Sequence, residues 1–492
     1  METVGPHPEI QTPSGFRLLP GERILYPVVE HPARKRDRQP SSLEQMLRLT
    51  QSTKPEEIGA YGPSWAALSF DTDNVPAHLD LYKANFGRDG LRVAIDLITS
   101  YPELARATIL SAAQFQGVAF NTEREEEPGR IAHEIRNPDD PIAVELTKRL
   151  GWGWPYYGSV DATPEFIRTL TAYTQRSEEN HGFLSQPYTD RSGEQRTISY
   201  AFEAALAWIE ARLKKNPEGL LEYQSILPRG IENQVWKDSW DAYHHKDGTL
   251  ANHSKGIASI EVQVTTFDAL IDAAELFEDV YDQPDRAAVL REKAAELRRT
   301  ILEVFWTNDE DGYFVLGTDR DENNNLRQLK LKTSNMGHVL NSRLLKGDDP
   351  DIVGRREATV SRLFSPELLA SAGIRTLASD EVRFRPGAYH CGSVWLWDTH
   401  HIAKGLRRLD YGDEADELDR RVLAAVEQTR IFPEYVRGDE EPTISINTQT
   451  IVLWDEVNGR ENKVEQPPQE VQAWSVAATL AIKKRLARRG LI

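Results

Sequence analysis

Helical spacing of apolar residues constrains the fold of this chain more than any other feature of its sequence. Apolar positions recur every three or four residues from Leu91 to Ile98 and again from Leu104 to Phe115. The same pattern predicts further helices over 164–174, 199–215, 260–281, 286–305, 333–345, 351–364, 391–406, 413–431 and 468–489. Only Tyr313–Leu316 and Glu381–Arg385 are predicted as short strands. The sequence therefore predicts an all-α fold.

The order of helices and elaborate loops predicts a closed architecture. A barrel of about twelve helices in α-hairpins accommodates the loops without a long structureless segment. An open helical solenoid is the alternative. Residues 1–80 are rich in proline and are predicted to be an irregular extension packed on the barrel, with one short helix near Ser42–Leu49. Residues 81–492 are predicted to form the barrel domain.

Composition excludes several classes of function. The formal net charge of −18 argues against partners such as nucleic acid or an anionic membrane. The single cysteine, Cys391, excludes a disulfide framework and a thiolate-rich metal site. No metal and no cofactor are predicted. The N-terminal residues have no apolar signal segment, and no stretch has the ~20 apolar residues of a membrane span, so a cytoplasmic location is predicted.

Six loops carry acidic and aromatic residues in a pattern typical of sugar binding, because aromatic faces stack on sugar rings while carboxylates accept from hydroxyls. An aromatic-filled core is the simpler explanation for the eleven Trp and sixteen Tyr. For Asp89 and Asp161 the simpler role is helix capping, and for residues 129–136 it is a salt-bridged loop. The six loops are 85–90, 129–136, 152–164, 233–241, 386–401 and 431–435.

Three carboxylates are candidates for acid–base chemistry. Asp238 and Asp241 flank Trp240, and an indole beside a carboxyl desolvates it and suits it to a general acid. Glu434 lies between Pro433 and Tyr435, far along the chain, so only a closed fold brings it near Asp238. Serine-hydrolase and nucleotide-binding motifs are absent from the sequence. Two carboxylates acting across a sugar acetal fit this set best.

Neither Cys391 nor the pair His400–His401 is predicted to be a reactive or metal-binding group. A lone cysteine is usually a buried apolar residue, so Cys391 is not predicted as a nucleophile. The two histidines are predicted to lie in the core or on the surface. His133 also lacks a second histidine at zinc-helix spacing.

Taken in order, the loop motifs resemble the amylo-α-1,6-glucosidase domain of glycogen-debranching enzymes, within the inverting (α/α)6-barrel glycosidases. The resemblance runs from about Asn85 to Thr479. Its pieces are F-G-R-D at 86–89, E-P-G-R-I-x-H-E-x-R at 127–136, Y-Y-G-S-V-D-A-T-P at 156–164, N-Q-x-W-K-D-S at 233–239, V-Q at 262–263, G-I-R-T-L at 373–377, Y-H-x-G-S-V-W at 389–395, P-E at 433–434 and P-Q-x-x-Q-A-W-S at 468–475.

The resemblance implies a role for each matching residue. Asp238 corresponds to the general acid and Glu434 to the general base. Asp241 is a second acid, which is assigned to substrate binding and whose share in the acid role is open. The residues implied in binding the terminal glucose or lining its pocket are Arg88, Asp89, Asp161, Trp236, Tyr389, His390 and Trp395.

The sequence departs from complete debranching enzymes, because it shows no glucanotransferase domain. Residues 1–80 are also too few for the large N-terminal β-domain of microbial debranching enzymes, so accessory binding of a polymer is not expected. This favours a short α-glucoside or a glucosylated small molecule over glycogen as the substrate. Inverting hydrolysis predicts that the carboxyls of Asp238 and Glu434 lie about 6.5–9.5 Å apart. The alternatives are a disaccharide phosphorylase on the same fold, with Arg437 as a candidate phosphate ligand, and a non-catalytic glycan-binding relative.

Overall fold

The structure is a computed structural model that describes residues 84–439, 449–455, 460–466, 468–469 and 472–490. The predicted N-terminal extension and its helix at 42–49 lie outside these residues.

Twelve α-helices lie within the described ranges. They are α1 Gly87–Leu97, α2 Pro102–Gln114, α3 Pro141–Leu150, α4 Ala162–Thr174, α5 Ile198–Lys215, α6 Ile260–Asp279, α7 Pro284–Val304, α8 Met336–Leu340, α9 Pro350–Leu363, α10 Leu396–Arg408, α11 Gly412–Thr429 and α12 Ala473–Arg488. Short 3-10 helices cover Thr122–Arg124, Glu178–Ser185, Asp309–Asp311 and Arg343–Leu345.

Six of these helices form a closed inner ring. In ring order they are α1, α4, α6, α8, α10 and α12; each packs on the next, and α12 returns to α1. Helices α2, α5, α7, α9 and α11 pack against this ring, each following an inner helix in the chain. The predicted (α/α)6 barrel is confirmed.

The burial pattern explains which helices form the inner ring. Helix α6 is buried on nearly every side of its first eleven residues, as a helix with packing neighbours all around it must be. Helix α7 buries one stripe spaced three or four residues apart, which is typical of a helix with one solvated face. That stripe is Ala287, Leu290, Ala294, Leu297 and Ile301. Each large apolar side chain that is fully buried contributes about 1.5–3 kcal/mol.

The strands are short and antiparallel. They are β1 Asn85–Phe86, β2 Glu134–Ile135, β3 Pro187–Thr189, β4 Gln195–Thr197, β5 Ala258–Ser259, β6 Trp306–Thr307, β7 Tyr313–Phe314, β8 Gly317–Arg320, β9 Leu326–Leu329, β10 Leu369–Ala370, β11 Gly373–Ile374, β12 Gln449–Asp455 and β13 Arg460–Gln466. Strand β1 pairs with β2, β3 with β4, β6 with β7, β10 with β11 and β12 with β13, while β5, β8 and β9 form a three-stranded sheet.

Several sequence predictions differ from the structure. The helix predicted over 468–489 begins at Ala473. The strand predicted at Glu381–Arg385 is wrong, because this segment forms consecutive turns with Phe384 N–H donating to Glu381 O. The helix predicted over 333–345 reduces to α8 and one 3-10 turn. The helix predicted from Cys391 begins at Leu396. Instead, Ser393 O accepts from Thr376 N–H and Val394 pairs with Val436.

The N-terminal ends of four inner helices converge at one end of the ring. Arg88 at the start of α1 contacts Asp161, which immediately precedes α4. Trp474 in the first turn of α12 contacts Trp395, which immediately precedes α10. The loops that precede these helices therefore share one end of the barrel. Among the helices of the described ranges, none combines the length and apolar character that crossing a bilayer requires.

Candidate active site

A glycine junction places Arg88 and Asp89 at this end of the barrel. Helix α1 begins at Gly87, directly after β1, and Gly87 N–H donates to His133 O at 2.9 Å. A Cβ on Gly87 would lie 2.1 Å from Ala132 O, so only glycine fits here. Asp89 lies inside the first turn of α1, whose N-cap is Phe86, and it makes no capping hydrogen bond. The capping explanation for Asp89 is therefore wrong.

Arg88 lies at the centre of three buried carboxylates. Its Nη1 is 3.3 Å from Asp161 Oδ2, its Nη2 is 3.5 Å from Asp238 Oδ2, and its Nε is 3.4 Å from Asp89 Oδ1. All four side chains are at most 10% exposed. One cation therefore faces three acids in a largely buried region. Asp161 occupies the N-cap position of α4 without capping it, and its Oδ1 accepts from Ser159 Oγ at 2.5 Å.

The electrostatics of this cluster favour a protonated Asp238. Burial raises the pKa of Asp238 well above its usual value; Arg88 lowers it, while Asp89, Glu434 and Asp161 raise it further. Burial likewise raises the pKa of Asp89 to about 6, against the opposing effect of Arg88. The two oxygens of Asp238 differ. Oδ2 faces Arg88, whereas Oδ1 has no hydrogen-bond partner among the described residues and lies 4.0 Å from His390 Nδ1. Oδ1 is thus the oxygen suited to carry the proton.

The loop that bears Asp238 is tied at several points. Asn233 Nδ2 donates to Ser239 O at 2.7 Å, which closes the loop across its ends. Lys237 Nζ donates to Thr376 O at 2.6 Å. Burial lowers the pKa of the Lys237 ammonium to about 8, although Asp398 and Glu261 oppose the shift. The sequence assigns no role to either Lys237 or Asn233.

Glu434 approaches the same cluster from the loop after α11. Its Oε1 accepts from Tyr389 Oη at 2.5 Å, and its Oε2 accepts from Gln469 N–H at 3.2 Å. Burial raises the pKa of Glu434 to about 7, and both hydrogen bonds oppose that shift because they favour the carboxylate. Asp89 raises the pKa of Glu434, and Glu434 raises that of Asp238, so the acids act on one another across a single site.

An aromatic layer packs beside the carboxylates. Trp236 contacts Trp397 at a centroid distance of 4.9 Å and Trp395 at 5.9 Å. Trp474 joins the layer at 4.7 Å from Trp397, and its Nε1 donates to Asp89 O at 3.3 Å. The pocket aromatics predicted from the sequence, Trp236 and Trp395, therefore belong to this layer, which Trp397 and Trp474 complete.

The hydrogen bonds of His390 indicate its tautomer. Its Nδ1 lies 3.3 Å from Ser239 N, which donates, and 3.0 Å from Ser239 Oγ, so we assign Nδ1 as an acceptor and the ring proton to Nε2. Burial, with Lys237 and Arg88 nearby, lowers the pKa of His390 well below its usual value. The ring stacks on Trp395 at 5.2 Å. His390 therefore offers one neutral N–H, and Nε2 has no partner among the described residues.

Asp241 lies apart from the Arg88 cluster. Burial raises its pKa, while Arg383, a hydrogen bond with Ser239 and then Arg385 lower it. The structure therefore couples Asp241 to a pair of arginines in the loop 379–391, on the Ser239 side of Asp238.

The aromatic loop at 152–164 differs from its prediction. Trp152, Tyr156 and Tyr157 are fully buried, and Trp152 stacks on Tyr156 at 3.8 Å, so these rings pack into a core. The loop nevertheless delivers Asp161 to Arg88. In the loop 129–136 the simpler explanation is a salt-bridged loop, and Glu134 does form an ion pair with Arg136.

The remaining candidates are buried. Cys391 is buried with a pKa raised by desolvation, and its Sγ contacts Asp241 O at 3.5 Å, as a structural cysteine does. His400 and His401 lie inside α10. Within the described ranges, no group of three or more His, Cys, Asp or Glu residues is arranged to hold a metal ion.

Comparison with known proteins gives a family match. A family model described as the mannosylglycerate hydrolase MGH1-like glycoside hydrolase domain matches residues 162–441. This span contains Asp238, Tyr389, His390 and Glu434. No protein with a curated description matches the chain. The family match supports the glycosidases as a group and does not single out the amylo-α-1,6-glucosidases that the motifs resemble.

Two solved structures from Thermus thermophilus are similar to this chain. One is the GH63 mannosylglycerate hydrolase in complex with Tris and D-glycerate, with a TM-score of 0.52 and 13% identity over 90% of this chain and 98% of that chain. The other is an uncharacterized conserved protein, with a TM-score of 0.48 and 13% identity over 90% and 98% of the two chains. The first likeness shows the same fold as the ring of helices described above.

Proposed function

The chain belongs to the mannosylglycerate hydrolase MGH1-like glycoside hydrolase family, and on that basis we propose that it hydrolyses a small α-glycoside with inversion at the anomeric carbon. The observation that carries this proposal is that two buried acids act on one another in one cluster while their hydrogen-bond partners differ. Asp238 is the harder to ionise, and Glu434 is held by two donors that favour its carboxylate.

The proposed reaction is a single displacement. Asp238 Oδ1–H protonates the glycosidic oxygen as the bond to the anomeric carbon breaks, and the leaving group departs as an alcohol. Glu434 takes a proton from a water molecule, whose oxygen attacks the anomeric carbon from the opposite face. The predicted separation of about 6.5–9.5 Å between the carboxyls leaves room for that water. Glu434 then releases its proton to solvent and Asp238 takes up a proton from solvent, which restores the enzyme.

The sugar is proposed to lie between the Arg88 cluster and the aromatic layer. Arg88, Asp89 and Asp161 supply fixed charged groups for hydroxyls, and the Nε2–H of His390 supplies a neutral donor. Charge-assisted hydrogen bonds of this kind position a substrate more strongly than neutral ones.

The substrate is proposed to be a hexose joined to a small molecule, with a hydroxy acid such as glycerate as the first candidate leaving group. The family's description and the relative solved with D-glycerate support this choice. A short α-glucoside is the second candidate, supported by the motif resemblance across the chain.

A substrate panel followed by anomer-resolved NMR tests the proposal. The panel holds mannosylglycerate, glucosylglycerate, isomaltose, maltose, trehalose, sucrose and limit dextrin. The proposal expects one glycerate conjugate to be cleaved with the β-anomer appearing first. First appearance of the α-anomer contradicts inversion, and turnover that requires added phosphate identifies a phosphorylase. Calorimetric binding without any release of sugar identifies a non-catalytic relative.

The same assay tests the two assignments. Asp238→Asn and Glu434→Gln are each expected to lower kcat by about 10²–10⁴-fold, the usual contribution of a general acid or base. Their circular dichroism spectra should match the wild type. Full activity of Glu434→Gln on the cleaved substrate contradicts the base assignment.

A further inference from the structure

A largely buried segment lies between the three loops that carry the Arg88 cluster. This segment, residues 125–134, contacts the start of α1 through the hydrogen bond from Gly87 N–H to His133 O. It contacts the Asp161 loop through Tyr156 O, which accepts from His133 N–H at 2.8 Å. Its contact with the Asp238 loop is made by side chains.

That third contact passes through Gln234. Arg130 Nη2 donates to Gln234 Oε1 at 2.8 Å, and Gln234 Nε2 donates to Glu125 Oε2. Arg130 also donates from Nε to Ser159 O at 3.1 Å. Ser159 is the residue whose hydroxyl holds Asp161. We call this arrangement the Arg130–Gln234–Glu125 bridge; its three members are each at most 3% exposed.

The chemistry of the bridge demands an amide at position 234. A guanidinium only donates and a carboxylate only accepts, so the group between them must accept on one side and donate on the other. A glutamate at this position would face Glu125 with like charge. An apolar side chain would leave Arg130 Nη2 without its acceptor and Glu125 Oε2 without its donor, although both residues keep their other hydrogen bonds.

Main-chain hydrogen bonds connect the bridge to the loop that bears Asp238. Gln234 O accepts from Val160 N–H at 2.9 Å, which joins the Asp238 loop directly to the residue before Asp161. The preceding residue, Asn233, closes the loop on Ser239 O. The position of Asp238 relative to Asp161 and Arg88 is therefore fixed from Gln234.

We propose that Gln234 is a positioning residue, which acts through the Arg130–Gln234–Glu125 bridge to hold Asp238 at the distance and angle needed to protonate the leaving group. This inference rests on the proposed function, in which Asp238 is the general acid. It predicts that disturbing the bridge damages proton donation and leaves attack by water largely intact.

Leaving-group dependence separates this role from a general loss of structure. A fluoride leaving group needs far less protonation than an alcohol, so a misplaced acid affects it little. The test compares kcat for the glycoside identified by the substrate panel with kcat for the α-fluoride of the same sugar. Gln234→Glu is expected to lower kcat on the glycoside by about 10²-fold, within the usual contribution of a general acid, and on the fluoride by less than about fivefold.

Exchanging the side chains of Glu125 and Gln234 should rescue the activity that Gln234→Glu loses. Glu125 Oε1 accepts from Ile226 N–H at 2.8 Å in the wild type. In the double variant Glu125→Gln with Gln234→Glu, the amide introduced at position 125 can still accept from Ile226 N–H with its oxygen. Its nitrogen can donate to the carboxylate introduced at position 234, which still accepts from Arg130. The double variant should recover kcat on the glycoside to within about fivefold of the wild type. Gln234→Asn, which keeps the amide but shortens it, serves if Gln234→Glu does not fold.

The controls distinguish failure of this inference from failure of the proposed function. Asp238→Asn must itself show the larger loss on the glycoside; if it does not, the acid assignment falls and the bridge inference falls with it. Arg320→Lys disturbs another buried arginine, which pairs with Glu218 and Glu222, and should lower both rates alike or neither. Equal losses on both substrates for Gln234→Glu and Gln234→Asn, or a double variant that regains melting temperature without kcat, would overturn the positioning role while Asp238 keeps its assignment.

Discussion

At the scale of single residues, the site depends on the pKa values of two carboxyls. Burial raises both values, and the hydrogen bonds of each carboxyl make them differ. Burial raises the pKa of both Asp238 and Glu434. Glu434 has two donors that favour its charged form, whereas Asp238 has the Arg88 guanidinium at 3.5 Å and three neighbouring acids that raise its pKa. Glu434 therefore ionises first as pH rises, which is the order that an acid–base pair for inverting hydrolysis requires.

Glu434 is expected to set the acidic limb of the pH profile, and Tyr389 to shift it. With the pKa of Glu434 at about 7, kcat/KM is expected to rise as pH increases through 7, because only the carboxylate accepts a proton. Tyr389→Phe removes a hydrogen bond that lowers this pKa, so the acidic limb should move to higher pH. The measurement is kcat/KM from pH 5 to 9. Tyr411→Phe, at the far end of α11, is the control; an unmoved limb in Tyr389→Phe contradicts the assignment of Glu434 as base.

At the scale of elements, the glycine junction between β1 and α1 aligns Arg88 with Asp161. Gly87→Ala forces a methyl group into Ala132 O, which is backbone and yields little. Such overpacking costs about 1–3 kcal/mol, and kcat/KM should fall as well because Arg88 moves. Thermal denaturation and kinetics check both effects.

The matched control for that junction is a glycine with open space around it. Gly354 lies inside α9 and has nothing within 4 Å of an added Cβ. Gly354→Ala should stabilise the protein by about 0.5–1 kcal/mol, since alanine loses less backbone entropy in a helix. If the Gly87→Ala variant is as stable as the Gly354→Ala variant, the junction between β1 and α1 is not tightly packed.

The bounds of the helices show which elements the sequence predicts and which it does not. Periodicity alone locates α5, α6 and α7 to within two residues at each end, because each has a full buried stripe. It fails for Cys391–Trp395, whose apolar spacing fits a helix although the backbone pairs with Thr376 and Val436. Spacing reports which side chains are buried, and an extended segment in a core satisfies the same spacing.

The site is partly predictable for a similar reason. The motifs indicate Arg88, Asp161, Asp238 and Glu434, and the structure brings these four charged residues to one end of the barrel. The support of Glu434 by Gln469 N–H could not be predicted, because a backbone donor leaves no signal in residue type. The aromatic loop is misleading, since burial of Trp152 depends on the neighbours that fold over it.

At the scale of the whole molecule, folding concentrates carboxyls in a chain that already carries a net charge of −18. The pKa of Asp89 rises to about 6 and that of Glu434 to about 7, so the folded state binds these protons more tightly than the unfolded state does. Their contribution to stability is full below the unfolded value near 4 and is lost as pH rises through 6 and 7. The site therefore destabilises the fold most at the pH where Glu434 works as a base.

Neutral replacements should reverse this cost. Glu434→Gln and Asp238→Asn remove groups that resist ionisation when buried, so each variant should melt a few degrees above the wild type at pH 8 while losing activity. At pH 4 the wild-type carboxyls are protonated, and the difference in melting temperature should shrink.

Asp247→Asn serves as the control, because Asp247 is exposed and hydrogen bonds with Thr249 lower its pKa, so its replacement should bring no gain at pH 8. Differential scanning calorimetry at the two pH values measures this. A melting temperature at pH 8 that is equal to or below the wild type for both site variants would mean that these carboxyls are ionised in the folded protein at little cost, and the acid–base assignment would lose its electrostatic basis.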